Sequence, residues 1–432
     1  MSLMSEGDGR EPVLQPVEGP RNTIDDIVIV GAALAGATAA KTLREEGYDG
    51  RLRLFGAEQH APYVRPPLSK GYLAGDDERS SIDVLEPSWY RDNDVELHLG
   101  TRIGELDPSG AVTTEAGRRY RFDRALLATG SVPRRLPIPG ADLDGVLSLR
   151  TVDDSDRLRA SLSGGGMRLV LIGSGWIGME VAATARTLGN DVTILERDPI
   201  PLAVALGDDL GRFFAALHEQ HGVDIRTSVN VEAIVGADGR ATGVRLADGQ
   251  VFPADLVLVG VGAVPAVELA QAAGLAVDNG VLADPALRTS APAVFAAGDI
   301  ANALHPLIDR RLRSEHWANA IDGGAAAAKA MLGKPSVHDA VPYFYTDQFD
   351  LGMEYAGFAP LTRDAELVYR GDPATGEFIA FWVRDSRVVA GMNVNVWDVN
   401  DDIKALVAAG TPLRLDELRD TDVPLPDVSR AA

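Results

Sequence analysis

A glycine-rich turn between two apolar runs constrains the fold more than any other feature of this 432-residue chain. The apolar run at 169–172 leads into a turn with the spacing Gly-x-Gly-x-x-Gly. Its glycines are Gly173, Gly175 and Gly178. Alanine-rich, helix-favouring sequence follows, and then a second apolar run that ends on Glu196. Strand, glycine turn, helix, strand and terminal acid together predict a dinucleotide-binding unit.

Each glycine of this turn has its own physical role. Gly173 permits the tight turn, Gly175 lets the backbone approach a pyrophosphate, and Gly178 lets the helix pack closely on the strand. The N–H groups at the start of the helix are then free to bind phosphate. Glu196 is expected to accept a hydrogen bond from a ribose 2′-hydroxyl, which favours NAD over NADP because a 2′-phosphate would meet a like charge. The adjacent Arg197 leaves tolerance of that phosphate open.

An earlier part of the chain has the same order of elements. The apolar run at 27–30 precedes Gly31 and Gly36, and the helical sequence after them leads to a second apolar run near Glu58. Ala33 stands where the second glycine is expected, so its methyl group is predicted to shift the turn slightly. The sequence therefore predicts two dinucleotide-binding units.

Composition excludes several classes of function. The formal net charge of −22 argues against nucleic acid or an anionic membrane as a partner. No apolar run approaches the roughly 18 residues of a membrane span. The chain contains no cysteine, which excludes disulfide frameworks, cysteine–metal sites and any catalytic thiol or redox disulfide.

Several stretches indicate the domain organisation. Residues 1–23 are polar and lack the basic start and apolar core of a signal peptide, so a disordered tail and a cytoplasmic protein are expected. A chain of this length is expected to form two or three domains, and a Pro- and Arg-rich stretch between 130 and 140 predicts a boundary. After residue 342 apolar and polar side chains alternate as in an antiparallel sheet, with a helix predicted at 402–409.

Short motifs spread along nearly the whole chain resemble those of one enzyme family. They are the glycine turn at 31–36, Arg-Pro-Pro-Leu-Ser-Lys at 65–70, Leu-Ala-Thr-Gly at 127–130, the turn and helix start at 173–180, Ala-Gly-Asp at 297–299 and Glu-His-Trp-Ala-Asn at 315–319. In these motifs and their order the chain resembles the FAD-dependent, NADH-oxidising ferredoxin reductases of bacterial monooxygenase and dioxygenase systems, of the putidaredoxin reductase and biphenyl dioxygenase reductase type. Only the first motif departs from the pattern, at Ala33.

The resemblance implies an α/β fold with two Rossmann-like three-layer ββα dinucleotide-binding domains, like those of glutathione reductase, and a C-terminal α+β domain. FAD is then expected on the first glycine turn and NADH on the second. The expected domains are an FAD-binding domain at 24–130 and 267–335, an NAD-binding domain at 131–266 and the C-terminal domain at 336–432.

The resemblance also assigns residues to FAD. Glu58 would hold the adenosine ribose and Asp299 the ribityl or pyrophosphate portion, with a helix N-cap as a compatible alternative role for Asp299. Arg150 and Trp317 match flavin-contacting positions, while a core aromatic is the alternative for Trp317. The expected FAD-binding residues are Gly31, Ala33, Leu34, Ala35, Gly36, Glu58, Arg65, Lys70, Arg102, Ile103, Ala128, Thr129, Gly130, Arg150, Gly298, Asp299, His316 and Trp317.

Two residues are implied to be catalytic. Lys70 would point at flavin N5 and stabilise negative charge on the reduced flavin, and Glu180 would pair with it. Composition alone instead favours a surface loop with a solvated lysine at this place, stiffened by two prolines. The expected NAD-binding residues are Gly173, Gly175, Trp176, Ile177, Gly178, Glu180, Glu196 and Gly262.

The implied activity is transfer of a hydride from NADH to FAD, followed by single-electron transfer to a [2Fe–2S] ferredoxin that supplies a cytochrome P450 or a Rieske oxygenase. An acidic ferredoxin needs a positive landing site, for which Arg310, Arg311 and Arg313 are candidates. A solvated turn is an equal alternative for these arginines. The resemblance implies no metal site and leaves the oligomeric state undetermined.

Other functions on the same fold are separated by cysteine content and charge. Glutathione-reductase-like enzymes, NADH oxidases and peroxidases need redox cysteines, which this chain lacks. Rubredoxin reductase and monodehydroascorbate reductase stay open because they need none. A redox-signalling flavoprotein of the apoptosis-inducing-factor type ranks lower, since that class has basic surfaces and this chain is strongly acidic. Glycine loops that bind no cofactor would give a colourless protein.

Overall fold

The computed structural model describes residues 24–430, so the predicted tail at 1–23 lies outside the described residues. The strands within that range are β1 Asp26–Val30, β2 Arg51–Phe55, β3 Val95–His98, β4 Ile103–Asp107, β5 Ala111–Thr114, β6 Arg119–Arg121, β7 Arg124–Leu127, β8 Ser131–Pro133, β9 Val146–Leu147, β10 Arg168–Ile172, β11 Asp191–Leu195, β12 Asp224–Arg226, β13 Val231–Ala237, β14 Arg240–Leu246, β15 Val251–Pro253, β16 Leu256–Val259, β17 Ala263–Pro265, β18 Val281–Ala283, β19 Val294–Ala296, β20 Ala301–His305, β21 Arg310–Leu312, β22 Tyr343–Gln348, β23 Leu351–Gly357, β24 Glu366–Asp372, β25 Glu377–Arg384 and β26 Arg387–Val394.

Helices connect and cover these strands. They are α1 Leu34–Glu45, α2 Gly71–Ala74, α3 Pro87–Asp92, α4 Val152–Leu162, α5 Trp176–Thr187, α6 Ala203–Leu206, α7 Asp208–Gln220, α8 Glu268–Ala272, α9 Trp317–Met331, α10 Ala359–Thr362, α11 Asn400–Ala409 and α12 Leu415–Arg419, with short 3-10 turns at Pro66–Ser69, Arg79–Ile82, Gly298–Ile300, Pro373–Thr375 and Leu425–Asp427. None of the helices in this part of the chain combines the length and the apolar character needed to cross a membrane.

The first predicted unit is built on a five-stranded sheet in the order β19-β7-β1-β2-β3. All neighbouring strands in it run parallel. Helices α1 and α9 pack on one face of this sheet and the three-stranded sheet β4-β5-β6 packs on the other. The central strand β1 is therefore apolar after Asp26, and Ile27, Val28 and Ile29 are fully buried. Helix α1 follows β1 directly through the first glycine turn and packs against α9.

The second predicted unit repeats this plan. Its sheet has the order β12-β11-β10-β16-β9, again with parallel neighbours. Strand β10, the second glycine turn, α5 and β11 follow one another as the sequence predicts. Ligands of such sheets bind at the carboxyl ends of the strands, where both glycine turns lie.

The chain leaves the first sheet through β8 and returns to it through β17. These two strands pair antiparallel, with Val132 opposite Val264. They form the connection between the two parallel sheets. The expected domain bounds at 131 and 266 lie beside this pair and stay a prediction.

The third unit is an antiparallel sheet in the order β22-β23-β26-β25-β24, with α11 packed on it. The predicted α/β fold class with a C-terminal α+β part is therefore confirmed. Strand β22 lies at the edge of this sheet and contacts helix α5 of the second unit. The C-terminal sheet thereby reaches the predicted active site.

Candidate functional site

The first glycine turn is tightly packed against the end of β7. Gly31 has φ +119°, and a Cβ added there would lie 2.1 Å from the carbonyl oxygen of Ala128. A Cβ on Gly36 would lie 2.0 Å from the carbonyl oxygen of Gly31. Only glycine fits at either position. Helix α1 then begins without a side-chain cap at Ala33, so its first N–H groups are available to an anion.

The second glycine turn resembles the first in the positive φ of its first glycine and in its extended N-cap residue. Gly173 has φ +98°, and a Cβ there would lie 2.6 Å from the carbonyl oxygen of Gly260. Gly175 is the uncapped N-cap residue of α5, in the extended conformation that Ala33 also adopts. A Cβ added at Gly175 would meet no protein atom within 4 Å. Ala33 is extended like Gly175, with φ −116° where Gly175 has −71°, so the turn accommodates the methyl group with a change of φ inside the extended region.

Glu196 lies at the carboxyl end of β11, beside the second turn. Its carboxylate accepts hydrogen bonds from the backbone N and the Oγ of Ser174, at 2.8 and 2.6 Å, and from the backbone N of Asp198. Arg197 is exposed and pairs with Asp198 at 3.5 Å. Glu196 thus holds its own turn in shape, and its predicted contact with a ribose hydroxyl uses the remaining acceptor capacity.

Glu58, Arg65, Arg150 and Asp299 form a row in the first unit, with two arginines between two carboxylates. Glu58 accepts from Arg65 Nη2 at 3.1 Å and from the hydroxyl of Tyr63. Arg65 donates to the backbone carbonyl of Arg150, and Arg150 Nη2 donates to Asp299 Oδ2 at 2.7 Å. Burial, and then repulsion from Arg150, lower the pKa of Arg65. The structure thus links four residues that the resemblance assigned to FAD.

Two details of this row bear on a bound cofactor. Arg150 Nε is buried and has no hydrogen-bond partner within residues 24–430, so a donor is left over in the cluster. Asp299 is not a helix N-cap, because the cap residue of the turn at Gly298–Ile300 is Ala297. The tightly packed glycine turn, the uncapped start of α1 and the spare buried N–H of Arg150 together fit a large anionic cofactor such as a dinucleotide.

Lys70 and Glu180 form a nearly buried ion pair. Lys70 Nζ lies 3.1 Å from Glu180 Oε2, and the two side chains are 13% and 8% exposed. The same Oε2 accepts from Ser69 Oγ, and Oε1 accepts from Thr346 Oγ1 at 2.7 Å. The solvated-lysine alternative is therefore wrong. The pair joins the segment after the 3-10 turn at Pro66–Ser69 to helix α5.

Strand β22 supplies residues that the sequence had not indicated. The ring of Tyr345 lies 5.4 Å from Lys70 Nζ, in the range of a cation–π contact. Burial raises the pKa of Asp347, against the opposing effect of Lys70. Lys70, Tyr345 and Asp347 line a cleft of about 370 Å³ together with Thr184 of α5. Besides its ion-pair partner Glu180, Lys70 thus has two neighbours that line the cleft, Tyr345 and Asp347.

His316 and Trp317 stand at the start of α9. His316 stacks on Phe344 of β22 at 4.5 Å between ring centroids, and burial lowers the pKa of His316 to about 4. Trp176 contacts the same Phe344, at 5.1 Å. Trp317 is 37% exposed and is therefore not a core aromatic. Strand β22 thus touches a residue expected at FAD and one expected at NAD.

Several of the remaining expected cofactor residues follow strands of the two parallel sheets. Ala128, Thr129 and Gly130 follow β7, and Thr129 Oγ1 donates to the carbonyl of Ala266 at 2.9 Å. Gly262 follows β16, the neighbour of β10, at the edge that holds the second glycine turn. The other positions are exposed Arg102 and buried Ile103 at the start of β4, partly exposed Leu34 and buried Ala35 at the start of α1, and exposed Ile177 at the start of α5.

The three candidate docking arginines differ in their surroundings. Arg313 pairs with Glu315 and donates to the carbonyl of Asp299, so its charge is neutralised locally. Arg311 donates to the carbonyls of Ala283 and Asn302. Within residues 24–430 Arg310 makes no side-chain hydrogen bond or ion pair, and it is exposed. The docking role stays a prediction, with Arg310 as its best candidate.

Known proteins are similar to this chain in sequence and in fold. Residues 25–324 match the pyridine nucleotide-disulphide oxidoreductase family, and residues 343–429 match the reductase C-terminal family. A probable ferredoxin reductase of Castellaniella defragrans is 41% identical over 373 residues, which cover 85% of this chain and 90% of the relative. The ferredoxin–NAD⁺ reductase component of the biphenyl dioxygenase system of Paraburkholderia xenovorans is 39% identical over 411 residues, 94% of this chain and 99% of the relative.

A solved structure agrees with these relatives. The covalent complex of putidaredoxin reductase and putidaredoxin contains a chain that superposes with a TM-score of 0.89 at 35% sequence identity. The match covers 93% of this chain and 97% of that chain. The similarity therefore extends over both parallel sheets and the C-terminal sheet.

Proposed function

The chain belongs to the pyridine nucleotide-disulphide oxidoreductase family, and we propose that within this family it is an NADH-dependent, FAD-containing ferredoxin reductase. One observation carries the proposal: the buried Lys70–Glu180 pair lies where the segment after the first glycine unit meets the helix of the second. Because the chain has no cysteine, electrons cannot leave through a redox disulfide. They must pass from the flavin directly to an acceptor.

FAD fits the first unit. When bound, it accepts a hydride from NADH and releases electrons singly to the acceptor. The glycine turn at 31–36 and the uncapped start of α1 would hold its pyrophosphate, and Glu58 its ribose. Arg150, with its spare buried N–H, and Asp299 would hold the portion nearer the flavin. His316 and Trp317 would line the flavin end of the site.

The second unit would bind and orient NADH. The turn at 173–178 offers its backbone and helix start to the pyrophosphate, and Glu196 favours the unphosphorylated ribose. Lys70 supplies a positive charge at the meeting point of the two sites. Glu180 holds the ammonium group in place from the opposite unit. These residues contribute orientation and charge, because hydride transfer itself needs no acid–base residue in the protein.

The proposed electron acceptor is a [2Fe–2S] ferredoxin that in turn reduces a cytochrome P450 or Rieske oxygenase. A ferredoxin of acidic surface would be repelled by the net charge of −22 unless a local positive group receives it. Arg310 is such a group, since no described carboxylate pairs with it. Because NADH is a cytoplasmic cofactor, we place the protein in the cytoplasm.

The test is an acceptor panel. Purified yellow protein is mixed with NADH, and reduction of cytochrome c is followed as [2Fe–2S] ferredoxins, rubredoxin and monodehydroascorbate are supplied in separate assays. We expect turnover that depends on one ferredoxin, with Arg310→Glu raising the KM for that ferredoxin and leaving ferricyanide reduction unchanged. Turnover with rubredoxin or monodehydroascorbate and with no ferredoxin would replace the proposed acceptor.

A further inference from the structure

Buried polar side chains form a line of hydrogen bonds that runs from His218 through Gln348 and Thr346 to the Glu180 carboxylate. From this line we infer that the C-terminal sheet positions the active-site pair: Thr346 and Gln348 of β22 fix the Glu180 carboxylate and, through it, Lys70. The inference deepens the proposed function and rests on it where it concerns catalysis. Thr346 and Gln348 are positioning residues, since in the described structure their side chains hydrogen-bond to Glu180, to each other and to His218, and not to Lys70 Nζ.

The two oxygens of Glu180 are held from different parts of the chain. Oε2 faces Ser69 and Lys70, which belong to the first unit. Oε1 faces Thr346, which belongs to the C-terminal sheet, at 2.7 Å. A glutamate side chain has three rotatable bonds, so α5 alone does not fix the direction of its carboxylate. The hydroxyl of Thr346 fixes the rotation that the first-unit contacts leave free.

The hydrogen bonds of the line have one direction. A carboxylate in an ion pair only accepts, so Thr346 donates its single proton to Glu180. Thr346 Oγ1 then accepts from Gln348 Nε2, at 3.1 Å. Gln348 Oε1 is left to accept from His218 Nε2, at 2.8 Å. If the Gln348 amide were flipped, its carbonyl oxygen would face the Thr346 hydroxyl. That hydroxyl has no proton left to donate, because it already donates to Glu180.

This direction fixes the tautomer of His218. Its Nε2 must carry the proton, and its Nδ1 must be bare. His218 Nδ1 is in fact buried without a hydrogen-bond partner within residues 24–430. Burial also lowers the pKa of His218 to about 4, so the ring is neutral at neutral pH and carries one proton. His218, at the end of the line, is therefore neutral and has its proton on Nε2, as the direction of the hydrogen bonds requires.

Water cannot replace these contacts. Thr346 and Gln348 are each 1% exposed and His218 is fully buried. Removing the Thr346 hydroxyl would leave both a carboxylate oxygen and the Gln348 amide with an unmet bond, which is more costly in a buried site than at the surface. The expected result is a displaced Glu180 and a less well-placed Lys70, with the NADH-binding turn untouched.

The test compares two substitutions at one position. Thr346→Val keeps the shape of the side chain and removes the hydroxyl, whereas Thr346→Ser keeps the hydroxyl. Thr114→Val is the matched control, because Thr114 is also a buried strand threonine and its Oγ1 accepts one bond, from the backbone N of Arg118. Flavin absorbance and circular dichroism check that each variant is folded and loaded.

With NADH and ferricyanide we expect Thr346→Val to lower kcat about 10-fold with the KM for NADH changed less than about twofold. Thr346→Ser should recover kcat to within about threefold, and Thr114→Val should not change it. Gln348→Met, which has similar volume and no donor, should lower kcat in the same direction. Equal kcat in Thr346→Val, Thr346→Ser and wild type would overturn the inference while leaving the proposed function intact.

A second readout does not depend on turnover. Nitrogen-15 NMR of the histidine rings of the FAD-loaded protein at pH 7, assigned by comparison with His218→Gln, reports which ring nitrogen of His218 is protonated. The inference requires the Nε2–H tautomer. The Nδ1–H tautomer contradicts it, even if no acceptor supports turnover and the proposed function has failed.

Discussion

The two glycine turns have the same positive φ at the first glycine and the same extended N-cap, and they differ in what their acidic residues contact. Gly31 and Gly173 both have positive φ and both abut a neighbouring carbonyl. Glu196 bonds to Ser174 of its own turn, whereas Glu58 bonds to Arg65 from the segment that carries Lys70. The backbone thus sets the class of ligand, a dinucleotide, in both units. Of the two acidic residues only Glu58 bonds to the segment that carries Lys70, whereas the second unit contacts Lys70 through Glu180 of α5.

The largest effect should come from adding a side chain at Gly31, the more tightly packed of the two first glycines. Gly31→Ala places a Cβ only 2.1 Å from the carbonyl oxygen of Ala128 and forces a side chain onto a backbone with φ +119°. We expect loss of bound flavin and most of the folded protein. Flavin absorbance and yield of soluble protein measure this. Gly175→Ala is the matched control, since its Cβ has free space; equal losses in both variants would break the distinction between the turns.

The next largest effect concerns the place where the two units meet. Glu180→Ala removes the partner of Lys70 and leaves the glycine turn of its own unit intact. We expect hydride transfer to slow about 10²-fold, because a preorganised charge is lost, with NADH binding weakened less than about threefold. Stopped-flow bleaching of the flavin at a series of NADH concentrations separates rate from affinity. A change in affinity alone would return Glu180 to a binding role.

A moderate effect is expected at the acid of the second turn. Glu196→Ala removes the charge that disfavours a 2′-phosphate, so the ratio of kcat/KM for NADPH over NADH should rise about 10-fold. The change also frees Ser174, which makes Ser174→Ala the control for a loosened turn. If both variants shift the ratio equally, turn geometry and not charge sets the cofactor preference.

The smallest effect is a pH dependence that both units should share. Burial lowers the pKa values of His316, beside the first site, and His218, in the second unit, from 6.5 to about 4. The unfolded chain then binds protons that the folded chain does not, so stability present above pH 6.5 is lost as the pH falls towards 4. We expect Tm to drop by about 3 to 5 °C over this window. In His218→Gln the drop should be smaller; an unchanged slope would remove His218 from the account.

Both glycine units could be predicted because their signals are local. In each unit the glycines, the apolar runs and the terminal acid lie within about 30 residues of one another, which is the length of one βαβ unit. The family and the fold class followed from such motifs and are confirmed. The roles of the individual site residues stay predictions.

The Lys70–Glu180 pair could be expected only through the resemblance. Ser69 and Glu180, which are bonded in the structure, are 111 positions apart, and nothing in the local sequence joins them. Composition even favoured a solvated loop. The pairing depends on the docking of one unit on the other, which periodicity does not report.

The contribution of β22 could not be predicted at all. Thr346, Asp347 and Gln348 are three consecutive polar residues, so the sequence does not indicate which face of this part of the strand is buried. Thr346 and Gln348 are buried because α5 and α7 pack over that strand. Thr346 lies 166 positions from Glu180, so only the tertiary structure brings them together.

The central claim is that the two turns bind different nucleotides, FAD at Gly31 and NADH at Gly173. Gly175→Val tests it most directly, because the backbone there is extended and the added side chain meets no protein atom within 4 Å of its Cβ. The measurement is flavin content by absorbance together with NADH affinity by titration. The account predicts full flavin content with NADH binding abolished. Loss of flavin with NADH binding retained would mean that the two sites are assigned the wrong way round.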